Sequence, residues 1–190
     1  MTTLTQSKSR SLAALGTRNR LTAIGIVGFA AAVAAASQVS IPLPFTPVPL
    51  TLQPMLVILG GMMLGPVAGA ASMVLYLAAG AAGLPVFTPL GAPGVLRFLG
   101  PTGGYLIAYP AAAWVAGALT RRASSLGARW LAGVAGIAVI YLGGVAQLAL
   151  LNGSIERAME MGVTPFAALD LVKAWIAAVI VSPRASRQRA

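Results

Sequence analysis

The sequence predicts an all-α integral membrane protein with six transmembrane helices and both termini in the cytoplasm. Its composition, the distribution of its charges and the positions of its prolines and glycines all favour this fold class. Of the 190 residues, 58% are hydrophobic and only 8% are charged, whereas a soluble domain carries about 25% charged residues. A chain with so few charges cannot cover a water-facing surface, so we expect it to lie in a lipid bilayer.

The charges occur in clusters that indicate which segments face the cytoplasm. Thirteen Lys and Arg stand against three Asp and Glu, and the basic residues concentrate in residues 1–20, 121–129 and 184–189. They form no basic stripe on a polar domain, which argues against nucleic-acid binding. Short cytoplasmic loops are enriched in Lys and Arg. An even number of helices should therefore separate each pair of basic clusters.

The apolar segments between these clusters are long enough for six helices. Residues 21–96 form a stretch of 76 residues without one charge, and a span needs about 20 residues. The predicted spans cover residues 21–39, 52–64, 66–83, 103–120, 130–151 and 165–182. Four of them precede the 121–129 cluster and two follow it, as the charge distribution requires. The second is short, about 20 Å at 1.5 Å per residue.

Prolines and glycines define the connections between the helices. Repeated prolines predict extended external loops at 40–51 and 84–102, and Gly65-Pro66 predicts a tight internal turn. The predicted organisation is a basic cytoplasmic tail over 1–20, disordered through residue 17, a six-helix membrane domain over 21–183, and a second basic tail over 184–190. Residues 34–36 also resemble a signal-peptide cleavage site. We favour an uncleaved first helix, because cleavage would remove one span.

The residue inventory makes enzymatic activity unexpected. The sequence contains no Cys and no His, which excludes disulfides, thiolate nucleophiles, Ser-His triads and HExxH zinc sites. Neither Lys8 nor Lys173 lies in a Walker A loop. No metal site is expected.

Asp170 and Lys173 are charged residues inside the last predicted span. Their i, i+3 spacing places them on one face of a helix, and a charge at membrane depth costs about 2.5–3.5 kcal/mol. They either neutralise each other or form part of a polar ligand site near the external end of the helix.

Arg97 is the one charged residue of the 84–102 loop. It is either an ordinary water-exposed arginine or a ligand contact. The second interpretation is supported by Gly100–Tyr105 (GPTGGY), which follows directly. Its glycines would allow the backbone to approach a ligand closely, and Tyr105 would offer a ring and a hydroxyl group.

Alanines form a strip of small side chains on the first helix. Ala30 and Ala34, and likewise Ala31 and Ala35, are four residues apart. Small residues at this spacing let another membrane helix pack closely. The strip either contacts a partner protein or packs within the same bundle.

Four ordered motifs give the chain a family resemblance. They are Ile41–Gln53 (IPLPFTPVPLTLQ), Gly83–Phe87 (GLPVF), Gly100–Tyr105 (GPTGGY) and Asp170–Lys173 (DLVK). Together they resemble the BioY family, the biotin-binding S components of energy-coupling factor transporters. The resemblance covers about Leu21 to Val181.

The resemblance implies a plasma-membrane protein that captures biotin from outside, with no cofactor. Its partners would be a transmembrane coupling protein, which contacts the alanine strip, and paired cytoplasmic ATPases. The first loop would cap the site. The implied biotin-binding residues are Arg97, Asp170, Lys173, Tyr105, Gln53 and Thr51. Asp170 can accept from the ureido N–H groups, and either Arg97 or Lys173 can pair with the biotin carboxylate.

One alternative is a stand-alone, proton-coupled secondary transporter of a small carboxylate vitamin, with Asp170 as the proton carrier. Secondary transporters often contain internal repeats, and this sequence shows none. Co-purification of ATPase subunits would distinguish the two.

Overall fold

The computed structural model describes the backbone of residues 2–187 and the side chains of residues 19–182. Helices form at all six predicted segments, and a β-hairpin and a short additional helix join them. The helices are α1 (Thr2–Gln38), α2 (Gln53–Leu64), α3 (Pro66–Ala81), α4 (Gly103–Thr120), α5 (Leu126–Asn152), α6 (Ile155–Gly162) and α7 (Ala167–Arg187). The strands are β1 (Ser40–Leu43) and β2 (Thr46–Thr51), and Gly94–Leu99 forms a 3₁₀ helix.

The helices are those of a membrane protein, although they differ in length. Residues Asn19–Gln38 of α1 and Leu126–Asn152 of α5 are each long and apolar enough to cross a bilayer. A third such span exists if α6 and α7, which are bent by 53° relative to each other, are taken together. The apolar helices α2 and α3 are shorter. Twelve residues give α2 a length of about 18 Å.

The N-terminal helix is longer than the sequence predicted. Its backbone is helical from Thr2, so the expectation of a disordered tail over residues 1–17 is wrong for residues 2–17. Leu12, Ala13, Ala14 and Leu15 are strong helix formers, and no proline precedes Pro42. At the other end, α7 continues to Arg187, into the segment expected to be a second tail. The structure does not describe the basic side chains of these two segments, residues 2–17 and 184–187.

Glycines allow α2, α3 and α4 to pack with their backbones in contact. A Cβ atom added at Gly61 would lie 2.0 Å from the Ala113 carbonyl oxygen, and one at Gly69 would lie 2.5 Å from the Gly61 Cα atom. No side chain fits at such distances. The close contact at Gly61 holds the C-terminal part of α2 in a fixed position relative to α4.

The loop predicted over residues 40–51 is an antiparallel β-hairpin. Ser40 pairs with Thr51 and Leu43 with Thr46. Thr46 and Val48 of β2 are buried while Pro47 is exposed, which is the alternation expected of a strand with one face on the protein. The prolines are tolerated because both strands are edge strands. The Thr46 hydroxyl donates to the Met161 carbonyl at 2.7 Å, so the hairpin is tied to the end of α6.

Helix α6 replaces part of the predicted loop between the last two spans. Ser154 caps it, because its hydroxyl oxygen accepts from the Arg157 backbone N–H. Glu156 lies in the first turn, where the helix dipole favours a negative charge. Glu156 and Glu160 are exposed, as expected for a solvated surface.

Candidate functional site

Two adjoining cavities lie between the β-hairpin and the bundle. One has a volume of about 60 Å³ and the other about 40 Å³. Val48 and Pro49 of β2 and Ile140 of α5 contribute to the walls of both. The six candidate binding residues, Thr51, Gln53, Arg97, Tyr105, Asp170 and Lys173, each line at least one of them. The structure therefore brings together residues from β2, α2, the 3₁₀ helix, α4 and α7.

Asp170 and Lys173 form a buried ion pair that also faces the cavity. The Lys173 Nζ atom lies 2.7 Å from Asp170 Oδ1 and donates to the Thr51 carbonyl at 2.9 Å. Asp170 is 3% and Lys173 is 8% exposed. Asp170 lies in the first turn of α7, where the helix dipole stabilises an anion. The pair thus combines mutual neutralisation with a position in the cavity wall, the two interpretations that the sequence left open.

Tyr141 completes the contacts of Asp170, although no sequence motif indicated this tyrosine. Its hydroxyl group donates to Asp170 Oδ2 at 2.6 Å. Tyr141 lies on α5, 29 residues before Asp170, and it also lines the second cavity. A tyrosine within an apolar helix is usually packing or an interface residue, so no motif could have indicated this contact.

Arg97 is buried and has no acidic partner. It is 6% exposed, so it is not a water-exposed loop arginine. Its guanidinium group donates to the Thr88 hydroxyl at 3.2 Å and to the carbonyls of Thr88 and Leu90. Among the described side chains the only ion pair joins Lys173 and Asp170. Burial lowers the pKa of the Arg97 guanidinium from its ordinary value, but arginine remains charged in proteins.

The loop around Arg97 is shaped to hold the guanidinium group. Gly91 has a φ of +105°, and a Cβ atom there would lie 2.6 Å from Arg97 Nη1. Only glycine combines this conformation with the absent side chain. The Arg97 Nε atom is buried without a hydrogen-bond partner. The site therefore contains a cation that its own protein environment leaves uncompensated.

Thr51 and Gln53 lie where β2 ends and α2 begins. The Gln53 side-chain amide donates to the Tyr76 hydroxyl at 2.7 Å, and the Thr51 hydroxyl donates to Gln53 Oε1 at 3.4 Å. Gln53 is 4% exposed. This short polar chain adds an amide and two hydroxyl groups to a cavity that is otherwise largely apolar.

Tyr105 lines both cavities, but the glycines beside it have another role than the predicted one. Its hydroxyl group donates to the Gly162 carbonyl at 2.9 Å. A Cβ atom at Gly103 would lie 2.0 Å from the Phe98 carbonyl oxygen, and one at Gly104 would lie 2.1 Å from that of Gly143. The expectation that these glycines admit a ligand is therefore wrong, because the preceding loop and α5 occupy that space.

The alanine strip of α1 has two faces. Ala30 is 8% exposed and belongs to the buried core, and Ala34 packs against that core. Ala31 and Ala35 are exposed. Ala30 is covered by its own bundle and is not available to another protein, whereas Ala34 is only partly buried. Docking on a partner remains a prediction for Ala31, Ala34 and Ala35.

The site has the features of a small-molecule binding site in a membrane protein. Its cavities are partly open, largely apolar and lined by a few directed polar groups, as is typical of small-molecule sites. An acid, two cations, an amide and several hydroxyl groups suit a ligand with N–H donors, a carbonyl group and a negative charge. Within the described part of the chain, no group of three or more His, Cys, Asp or Glu could hold a metal ion.

Comparisons with known proteins give the family. The chain belongs to the BioY family, whose model matches residues 6–189. It is 41% identical over 152 residues to a probable biotin transporter BioY of Pyrococcus horikoshii, covering 80% of this chain and 88% of that protein. It is 38% identical to the biotin transporter BioY of Thermotoga maritima over the same shares of the two chains.

A solved structure has the same fold. It is the crystal structure of the S-component for biotin from an ECF-type ABC transporter, and it superposes with a TM-score of 0.82 at 26% identity. The match covers 90% of this chain and 93% of the other. The S-component fold therefore accounts for nearly the whole chain.

Proposed function

We propose that the chain captures biotin and takes it up across the membrane as the substrate-specific component of an energy-coupling factor transporter. Membership of the BioY family is the observation that carries this function. The chain is a transporter component and not an enzyme, and ATP hydrolysis belongs to partner subunits.

We place the ureido ring of biotin at Asp170 and the carboxylate at Arg97. Lys173 is already neutralised by Asp170 at 2.7 Å, whereas Arg97 is buried with no acidic partner. A ligand carboxylate would supply the missing negative charge at Arg97. Asp170 would accept from a ureido N–H, and Lys173 or Gln53 would donate to the ureido oxygen. Tyr105, Ile140 and Leu106 would contact the bicycle and the alkyl chain.

The β-hairpin must move for biotin to enter. The two cavities measure about 60 and 40 Å³, well below the roughly 300 Å³ at which small-molecule pockets begin. The side chains of β2 lie directly over both cavities. Displacement of the hairpin would therefore enlarge the site and open it, which suits the capping role expected of this segment.

Six transmembrane segments in the plasma membrane, with both termini cytoplasmic, remain our proposal for the topology. Helices at all six predicted segments support it. So does the contact between Arg121 and the α2–α3 turn, where a Cβ atom on Gly65 would lie 2.5 Å from Arg121 Nη2. This contact places the basic 121–129 loop and the predicted internal turn at the same end of the bundle. The domain organisation follows, with a six-helix substrate-binding domain over 21–183.

We propose a transmembrane coupling protein and paired cytoplasmic ATPases as the partners. Ala31 and Ala35 offer an exposed strip of small side chains for close helix packing. The alternative of a stand-alone proton-coupled transporter is less well supported, because the solved structure with the same fold is the S-component of an ECF-type ABC transporter.

Equilibrium binding of labelled biotin to the detergent-purified chain tests the proposal directly. We expect saturable binding at one site per chain, competed by unlabelled biotin and weakened in Arg97→Ala. Absence of saturable binding by a monodisperse, folded chain would contradict it.

A further inference from the structure

Both oxygens of the Asp170 carboxylate are held by side chains, and the two contacts come from different helices. Lys173 of α7 contacts Oδ1 at 2.7 Å, and Tyr141 of α5 donates to Oδ2 at 2.6 Å. The second distance is typical of a hydroxyl group bonded to a carboxylate, a contact about twice as strong as a neutral hydrogen bond. Tyr141 is therefore one of two groups that determine the orientation of Asp170.

The two contacts differ in what they control. Lys173 is on the same helix as Asp170 and ends in an ammonium group, which can contact either oxygen from several directions. The terminal torsion of an aspartate is broad, so one contact at Oδ1 leaves the carboxylate plane free to rotate. The hydroxyl of Tyr141 reaches from another helix and fixes the second oxygen. Together the two contacts define the plane and hence the direction of the free lone pairs.

Tyr141 also lies at the boundary between the site and the outer surface of the bundle. Inside, it lines the second cavity together with Lys173 and Phe166. Outside, it lines a recess between α5 and α7 and the apolar groove between α5 and α6. Asp170 lines the same recess. The tyrosine side chain and Asp170 therefore both line the ligand cavity on one side and the outer recess on the other.

We propose that Tyr141 is a positioning residue that determines recognition of the ureido ring by directing the Asp170 carboxylate into the cavity. This inference rests on the proposed function, in which Asp170 accepts a ureido N–H. Tyr141 contributes through Asp170, so the ring alone does not replace the hydroxyl group. The lone pairs that Lys173 and Tyr141 leave free are the ones available to the ligand.

A double-mutant cycle on biotin affinity tests this role. We expect Tyr141→Phe, which keeps the ring and removes the hydroxyl group, to weaken biotin binding about 10- to 100-fold, as for loss of a hydrogen bond to a charged group. In the Asp170→Asn background the same substitution should change the affinity less than threefold, because the carboxylate that it orients is absent. An equal loss in both backgrounds would overturn the proposal.

Ligand analogues give a readout that a purely structural role would not change. Biotin methylated on a ureido nitrogen lacks one N–H donor, so Tyr141→Phe should narrow the difference in affinity between biotin and this analogue. If the difference stays constant while both affinities fall, Tyr141 supports only the fold. This measurement also decides the question if Asp170→Asn binds too weakly for the cycle.

Trp130→Phe is the matched control. The Trp130 indole N–H donates to the Leu171 carbonyl at 3.1 Å, so it also joins α5 to α7 but does not contact Asp170. We expect this variant to bind biotin within threefold of the unmodified chain. A loss as large as that of Tyr141→Phe would show that any α5–α7 hydrogen bond matters, and would overturn the assignment to Tyr141. If the unmodified chain bound no biotin, the proposed function itself would fail instead.

Discussion

At the scale of single residues, the site combines a compensated charge pair with an uncompensated cation. Asp170 and Lys173 satisfy each other at 2.7 Å, while Arg97 contacts only neutral groups and an aromatic ring, with its guanidinium carbon 6.0 Å from the centroid of Phe87. Removing one member of a buried ion pair leaves the other charge buried and unpaired, whereas removing both leaves no buried charge. The two parts of the site should therefore respond differently to substitution.

The first prediction concerns Asp170→Asn, Lys173→Met and their combination. Each single substitution should weaken biotin binding by about 2–4 kcal/mol, because a desolvated charge-assisted contact is lost. The double variant should unfold at a higher temperature than either single variant, because no buried charge is left unpaired. It should nevertheless bind biotin more weakly than either. Calorimetry and thermal unfolding measure both effects, and a double variant that binds biotin normally would remove the pair from the site.

The second prediction tests the assignment of the biotin carboxylate to Arg97. Arg97→Ala should weaken binding of biotin by about 2–4 kcal/mol. It should weaken binding of the methyl ester of biotin much less, because the ester has no negative charge that could pair with Arg97. Arg122→Ala is the control, since Arg122 is exposed and lines neither cavity. Equal losses for acid and ester would assign the carboxylate to another residue.

The residue pattern indicated the charged members of the candidate site and Tyr105, and the family resemblance added Thr51 and Gln53, but neither indicated Tyr76 or Tyr141. Arg97, Asp170 and Lys173 stand out because charges are scarce in an apolar chain and costly to bury. Tyr76 and Tyr141 carry no such signal, since the contacts of a tyrosine depend on which helices become neighbours. For Gly103 and Gly104 the prediction of a ligand contact was wrong. A glycine indicates that another group approaches closely but does not identify that group, and here it is protein backbone.

At the scale of elements, the β-hairpin is the part that we propose controls access, because residues of β2 line both cavities. Its inward face consists of Thr46 and Val48, and one side-chain hydrogen bond from Thr46 to Met161 ties it to α6. The helices below it are held by close backbone contacts at Gly61 and Gly69. Movement should therefore be concentrated in the hairpin.

The third prediction is that Thr46→Val speeds the release of biotin. The substitution keeps the shape of the side chain and removes two hydrogen bonds, the one to the Met161 carbonyl and the one accepted from the Val48 backbone N–H, of which only the first joins the hairpin to α6. We expect the dissociation rate to rise about 2- to 10-fold, the range for the one neutral hydrogen bond that joins the two elements. Stopped-flow displacement of labelled biotin measures the rate. Thr164→Val is the control, because the Thr164 hydroxyl is exposed and bonds locally to Met159. An unchanged rate in Thr46→Val would mean that this contact does not hold the hairpin closed.

The fourth prediction separates the two faces of the α1 strip. Ala31→Trp and Ala35→Trp should abolish ATP-driven biotin uptake while leaving biotin binding to the isolated chain within threefold, since a large side chain prevents close helix packing. Ala30→Trp should instead destabilise the chain, because Ala30 lies in the core. Leu142→Trp, at an exposed apolar position on α5, is the control for a bulky side chain on the outer surface. Normal uptake by both outer variants would refute docking at this face.

Segment lengths and hydropathy predicted the helices better than the connections. The six helical segments follow from apolar stretches bounded by Pro, Gly and charge. The hairpin was missed because four prolines in 40–51 argued against a strand, although two-stranded ribbons have only edges and tolerate them. Helix α6 was missed although its eight residues are amphipathic, with Ala158 and Gly162 buried and Glu156 and Glu160 exposed, and although Ser154 and Glu156 mark its start.

At the scale of the whole molecule, the distribution of basic residues should set the orientation in the membrane. The fifth prediction is that reporter fusions after Arg121 and after Arg184 are cytoplasmic, whereas fusions near Ala92 and Gly153 are external. Alkaline phosphatase and green fluorescent protein fusions report the two sides. An external reporter after Arg121 would contradict the six-span topology.

The short helices α2 and α3 have a consequence for the surrounding lipid. Most of α2 is buried within the bundle, so its length of about 18 Å is screened by its neighbours. Helix α3, with 16 residues and a length of about 24 Å, exposes Val67, Val74 and Leu75 at the outer surface. The hydrocarbon core of a bilayer is about 30 Å thick, so α3 is too short to span it. Acyl chains next to α3 must shorten or tilt, so this side of the protein should impose a local thinning on the membrane and favour lipids with shorter chains.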